Sequence, residues 1–183
     1  MVQFHKGQRS AFDEIYRRYS SLLLTLMYRL LNQDRELAHD LLHDIFIRLI
    51  ENPNKFDPNK RFKPWIYAVA TNECMKQYRK KSTSRLDEFQ ENTFAEDPEI
   101  LMKLNDIHFN KSLKKSLSDL TFEHRCCFVL RYQEKLSIRE ISEVIDCPEG
   151  TVKSRIHYAI RLLSQKLSMF NPNKIETYDA NRK

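Results

Sequence analysis

Seven side chains near the carboxy terminus, Thr151, Lys153, Ser154, Arg155, His157, Tyr158 and Arg161, combine hydroxyls, cations, an imidazole and a phenol. Such groups donate to phosphate oxygens and read base edges in a DNA groove. A second set lies far upstream, where Trp65, Tyr67 and Tyr78 interleave with Thr71, Asn72, Lys76, Arg79 and Lys80. Aromatic rings stack on unpaired bases, small polar groups meet base edges, and cations meet phosphates. The loop before it, NPNKFDPNKRFKPW, is basic and holds Phe56 and Phe62. Two readings of those rings stand: they stack on bases, or they pin the loop to the core. Trp65 has the same alternative, since a lone tryptophan commonly anchors a core.

Other chemistries find no support in the residues. There is no glycine-rich phosphate loop and no nucleophile elbow, so no catalytic residue is assigned and no enzyme activity is expected. Cys74, Cys126, Cys127 and Cys147 include no CxxC pair, and the six histidines have no ligand spacing. No metal or cofactor is expected, and the cysteines read as reduced packing residues. No apolar run is long enough to span a bilayer, and MVQFHKGQRS has no signal-peptide core. A cytosolic location is therefore expected.

The elements that must hold these side chains are helices. With two glycines in 183 residues, the turns of a β-sandwich are missing. In SIREISEVIDCPEGTVKSRIHYAIRLLSQKL, Ser137 and Glu140 have capping-box spacing, and Ile138, Ile141, Val144 and Ile145 define one buried face. Asp146 and Cys147 make a turn, and Pro148 fits the first turn of the next helix. There Val152, Ile156, Ala159, Ile160, Leu163 and Leu167 point inward, leaving the seven polar residues outward and on the shoulders. Two helices so joined form a helix-turn-helix, which presents its second helix to a DNA groove.

Upstream, Ser10 with Asp13 is expected to cap a long helix whose apolar face runs from Phe12 to Leu30. Asn32 to Asp34 break it, and Leu37, Ala38, Leu41, Leu42, Ile45, Phe46 and Leu49 start a second helix that should pack antiparallel. Its polar side carries Asp40 and Asp44, with Ile47 and Ile50 off the stripe. That face is either a docking surface or a solvated acidic face. Pro64 is expected to open the third helix. After Ser82, RLDEFQENTFAEDPE is acidic and aperiodic and reads as a flexible linker. Thr121 is expected to cap a later helix with Phe122, Cys126, Val129 and Leu130 inside. The chain is thus all-α: two small helical domains, 1–82 and 113–170, joined by an acidic linker and connecting helix, 83–112, with a polar tail, 171–183.

In this order the elements resemble the extracytoplasmic-function group of bacterial sigma factors, within the sigma-70 family. AFDEIYRRYSSLLLTLMYRLL and ELAHDLLHDIFIRLIE are similar to the second region of that family, and FKPWIYAVATNECMKQYRKKS to its promoter-melting helix. LTFEHRCCFVLRYQEKLSIREISEVIDCPEGTVKSRIHYAIRLL is similar to the fourth region. The resemblance implies a dissociable subunit of RNA polymerase that directs transcription initiation. It places Asp40, Leu41, Asp44, Phe46 and Ile47 against the core enzyme. It places Phe56, Phe62, Trp65, Tyr67, Thr71 and Asn72 at the -10 element, around a flipped base, with Lys76, Arg79 and Lys80 on phosphates. It places Thr151, Lys153, Ser154, Arg155, His157, Tyr158 and Arg161 at the -35 element. An anti-sigma factor is a further implied partner, and the linker would thread toward the polymerase active centre. His39 and His43 depart from the family's usual acid and glutamine. Lys135 and Asp146 stand at turns where glycine is frequent.

Two other functions explain part of the chain. An autonomous helix-turn-helix regulator accounts for the carboxy-terminal half but leaves the basic-aromatic helix and acidic face without a task. A helical protein-interaction module accounts for the packing alone.

Overall fold

The computed structural model describes residues 9–84 and 104–170, and every regular element among them is helical. Helix α1 (Arg9–Leu30) buries Ile15, Leu23, Leu26, Met27 and Leu30. It already includes Ser10, so that residue lies within the helix and does not cap it. Asn32 and Gln33 take positive φ, 58° and 69°, and reverse the chain. Asp34 then caps α2 (Arg35–Glu51) by accepting a bond from the Leu37 amide at 3.1 Å. A short 3₁₀ turn (Pro53–Lys55) leads to α3 (Phe62–Ser84), which begins two residues before Pro64. Proline is tolerated there because first-turn amides have no intrahelical acceptor.

Helix α4 (Leu104–Ser118) runs unbroken across the expected boundary at residue 112. Helix α5 (Phe122–Phe128) continues into a π turn (Val129–Gln133). Thr121 stands at the start of α5 without a side-chain capping bond; its hydroxyl meets Nδ1 of His124 at 2.6 Å. The Ser137–Glu140 capping box is formed and starts α6 (Ile138–Ile145). Asp146 closes α6 with φ 47°, and Lys135 turns the chain before it with φ 58°. Helix α7 (Glu149–Lys166) follows directly after Pro148. The acidic stretch 85–99, with residues 100–103 after it, and the tail 171–183 lie outside the described residues.

One core runs through both halves. Leu23, Leu26, Met27, Leu30, Ile45, Phe46, Ile66 and Cys74 join Phe122, Cys126, Leu130, Leu136, Ile141 and Val144. A smaller cluster, Leu120, Ala159 and Leu163 with Leu113 and Leu117, holds α4 against α7. Helix α3 mediates the union: it lies against α1 and α2 on one side and against α6 and α5 on the other. Ile160, expected inside, is 38% exposed, because Val152, Ile156, Ala159 and Leu163 already fill the inward stripe and residue 160 falls at its edge. Cys74, Cys126 and Cys127 are buried free thiols, and burial pushes Cys74 up to about 12 and Cys127 up to about 11, which keeps them protonated.

Candidate nucleic-acid interface

On α7 the buried residues Val152, Ile156, Ala159 and Leu163 turn the opposite side outward. Lys153, Ser154, His157, Tyr158 and Arg161 are exposed; Thr151 and Arg155 are half-buried shoulders. Arg155 leans back and donates from Nη1 to the Cys147 sulfur at 3.8 Å. Tyr158 lies between two supports. The His124 ring, from α5, is 4.4 Å from it centroid to centroid, and the Arg161 guanidinium sits 5.4 Å from its ring centre. Burial, and then the nearby Arg155 cation, pull His124 below the usual imidazole range, favouring the neutral ring.

Around α3 the nine residues expected at unpaired DNA divide. Phe56, Tyr67 and Thr71 are buried, which corrects their expected place on the contact surface. Phe56 meets Phe62 at 5.3 Å and Trp65 at 5.1 Å, so it pins the loop from behind. Phe62 and Trp65 are half-buried, while Asn72, Lys76, Arg79 and Lys80 are exposed. Trp65 and Lys76 border a cleft of about 250 Å³ with Arg48, Asn52, Lys55 and Glu73. Glu73 accepts from Arg48 at 2.8 Å and from Lys76 at 2.9 Å. Burial pushes its carboxyl up, but the bonds from these two cations outweigh it and leave the group below its ordinary value.

The acidic face of α2 is exposed as expected, but two of the five residues implied as core-enzyme contacts are not. Asp40, Asp44 and Ile47 are exposed, as is the neighbouring Ile50, but Leu41 and Phe46 are 4% and 3% exposed. Both belong to the stripe of Ala38, Leu42, Ile45 and Leu49, so they shape this face from within. Tyr16 of α1 extends the face; its ring packs 4.8 Å from that of Phe46 and remains 47% exposed.

The α3 side meets α6, the first helix of the helix-turn-helix, at the junction of the halves. Arg61 binds Glu143 of α6 at 2.9 Å and approaches Glu140 at 3.9 Å. Glu134 accepts from Arg29 at 2.9 Å and from the Tyr67 hydroxyl at 3.1 Å. Burial, and then the Glu134 carboxylate, push the Tyr67 phenol well above its usual range. A cleft of about 650 Å³ is lined by Arg61, Pro64, Trp65 and Ala68 and by Ser137, Arg139 and Glu143, and the Arg61–Glu143 pair bridges it. Helix α6 therefore covers part of the surface that α3 would offer to unpaired bases.

Residues 15–83 match the family Sigma-70 region 2, and residues 116–165 match Sigma-70, region 4. The ECF RNA polymerase sigma factor SigW of Bacillus subtilis is 32% identical over 180 residues, covering 90% of this chain and 93% of that protein. The chain belongs to the ECF RNA polymerase sigma factors. The ECF sigma-E factor of Escherichia coli is 26% identical over 174 residues, with 88% of this chain and 89% of that protein aligned. The sigma factor RpoE of Bartonella quintana, solved with the anti-sigma factor NepR, has the same fold: TM-score 0.69, 20% identity, 86% of this chain and 97% of that one.

Sigma-factor motifs did not single out the residues that join the halves: Arg29, Asn32, Arg61, Arg125, Glu134, Glu140 and Glu143. One had a signal. Arg125 stands on the inward stripe between Phe122 and Val129, where a helical period calls for an apolar residue. For Arg29, Arg61 and the three glutamates, charged residues on amphipathic helices, no local pattern distinguishes an interface from solvent.

Proposed function

We propose that this chain is a dissociable specificity subunit: it binds core RNA polymerase and directs initiation at promoters that carry its -35 and -10 elements. One observation carries the reading. A region 2 bundle with a basic, aromatic third helix and a region 4 helix-turn-helix with an outward cationic face occur in one chain. In this reading Asp40, Asp44 and Ile47 dock on core enzyme, with Ile50 and Tyr16 completing the apolar part. Trp65, Phe62, Asn72 and Lys76 take the unpaired -10 strand, and Arg79 and Lys80 its phosphates. Flipping one base costs about a few kcal/mol, so a bordering cleft and a stacking ring are both needed. Thr151, Lys153, Ser154, Arg155, His157, Tyr158 and Arg161 take the -35 duplex.

The subunit acts through binding energy and carries no reaction of its own, and its place is the cytosol, where polymerase and chromosome are. An anti-sigma factor is proposed as its regulator, by likeness to RpoE. The decisive experiment is transcription in vitro with purified core polymerase on a genomic library. Initiation at a discrete set of start sites that requires the added chain is the expected result. An autonomous regulator would instead bind promoter duplex tightly by itself and leave initiation by core unchanged.

A further inference from the structure

Arg125 heads the fully buried side chains by size and is 1% exposed. It leaves α5 in the region 4 half, and its Nη1 donates to the Asn32 side-chain oxygen on the α1–α2 turn of the region 2 half. Its guanidinium lies 5.8 Å from the Tyr78 ring centre and 5.9 Å from that of Phe122. Nε and Nη2 have no acceptor among the described residues. The ionisable groups facing it, Tyr78, Cys74 and Cys126, are a phenol and two thiols, with no carboxylate among them. No ion pair to it forms among the described residues, whereas Glu134 and Arg61 at the same junction are both matched.

A buried cation with two open donors disfavours the state that buries it. Phe122, Cys126 and Leu130 pull the halves together by apolar burial, while Arg125 pulls toward water. The Tyr67 hydroxyl is bonded to Glu134, and Arg61 to Glu143 of α6, across the junction of the halves.

We propose that Arg125 is a release element: it destabilises the packed form, in which region 4 covers part of the -10 surface of region 2, and so keeps the opened, promoter-competent form within reach. The polymerase readout below rests on the sigma-factor reading; the other two do not. Removing the orphaned donors or supplying their missing anion has the same consequence. Arg125→Met fills the site with an apolar chain of similar length. Asn32→Asp leaves Arg125 in place and gives it a carboxylate, at a position whose positive φ aspartate tolerates about as well as asparagine.

The test uses the full chain, with melting temperature, small-angle scattering and affinity of the reconstituted polymerase holoenzyme for promoter DNA with an unpaired -10 strand measured for each variant. Both substitutions should raise the melting temperature by about 2–4 °C and keep the particle compact. Both should weaken promoter binding about tenfold, because a smaller open fraction lowers apparent affinity in proportion. A lower melting temperature and a larger radius of gyration in both variants would make Arg125 a structural anchor and overturn the proposal, as would unchanged promoter affinity beside a raised melting temperature. Should Arg125→Met fail to fold, Asn32→Asp decides alone. If the unaltered chain does not bind core enzyme, the sigma-factor reading fails while melting and scattering still decide the role of Arg125.

Discussion

Arg61, in the basic loop before α3, holds Glu143 of α6 through two hydrogen bonds of 2.9 and 3.0 Å. The pair is half in water, with side-chain exposures of 58% and 40%, so its contribution is about 0–1 kcal/mol. Its importance is positional, since it ties a residue of the -10 side to the first helix of the helix-turn-helix. Glu143→Lys turns attraction into repulsion. The expected outcome is a larger radius of gyration at low ionic strength and faster tryptic cleavage. Both effects should fade toward 1 M salt, where the screening length falls to about 3 Å. A particle as compact as the parent at low salt would show that apolar packing alone holds the halves.

The face of α2 separates docking from stability. Asp40→Lys with Asp44→Lys, or Ile47→Asp alone, should abolish capture by core polymerase with the helical content and melting temperature close to the parent. Leu41→Ala and Phe46→Ala remove core volume and should destabilise the chain by about 2–5 kcal/mol, with binding lost only in step with folding. Denaturant titration alongside a pull-down on core enzyme distinguishes the two classes. Capture that survives the double aspartate reversal would remove α2 as the docking element.

Much of this arrangement was legible because it is local. The α2 stripe, the Ser137–Glu140 box and the outward set on α7 follow from spacing within one or two turns. Lys135 and Asp146 also behaved as their positions implied, each with positive φ. What was illegible depends on which surfaces meet. Phe56, Tyr67 and Thr71 fit a nucleic-acid surface by residue type, yet α3 is packed on two sides, and nothing within its own span says so. Trp65, Ile66, Tyr67, Val69, Ala70, Cys74 and Tyr78 spread around α3 more widely than one face requires, which in retrospect marks a helix between two layers. Periodicity could not name α6 as the second layer, because a contact between residues 61 and 143 leaves no trace in either segment.

Glu73 should give the protein a defined acid sensitivity. Its carboxyl titrates below the ordinary value of 4.5 because Arg48 and Lys76 favour the anion against the cost of burial. A depressed folded-state value means the stabilisation is present above the unfolded value and is lost as pH falls through the folded one. Glu73→Gln should therefore lower stability at pH 7, and the difference from the parent should shrink steadily below about pH 4.5. Urea midpoints at pH 7, 5 and 3 measure it. An equal deficit at all three would assign the loss to packing and remove the ion pairs as its cause.

The stack of His124, Tyr158 and Arg161 bears on how region 4 reads its duplex. Tyr158 carries the Arg161 cation on one ring and is itself braced by His124, so the guanidinium is partly ordered before DNA arrives. Arg161→Ala should weaken binding by about 1–3 kcal/mol, selectively for the parent sequence, if the guanidinium makes a bidentate base contact. If it meets only phosphate, the loss should be uniform across sequences and the salt slope should fall by about one. His124→Ala should reproduce a fraction of either loss without touching DNA, and His124→Phe should restore it by replacing the ring. Fluorescence titrations of the polymerase holoenzyme on promoter duplexes with single -35 substitutions, at two salt concentrations, give each term. A His124→Ala protein that discriminates as well as the parent would show that the recognition helix orders Arg161 without help from α5.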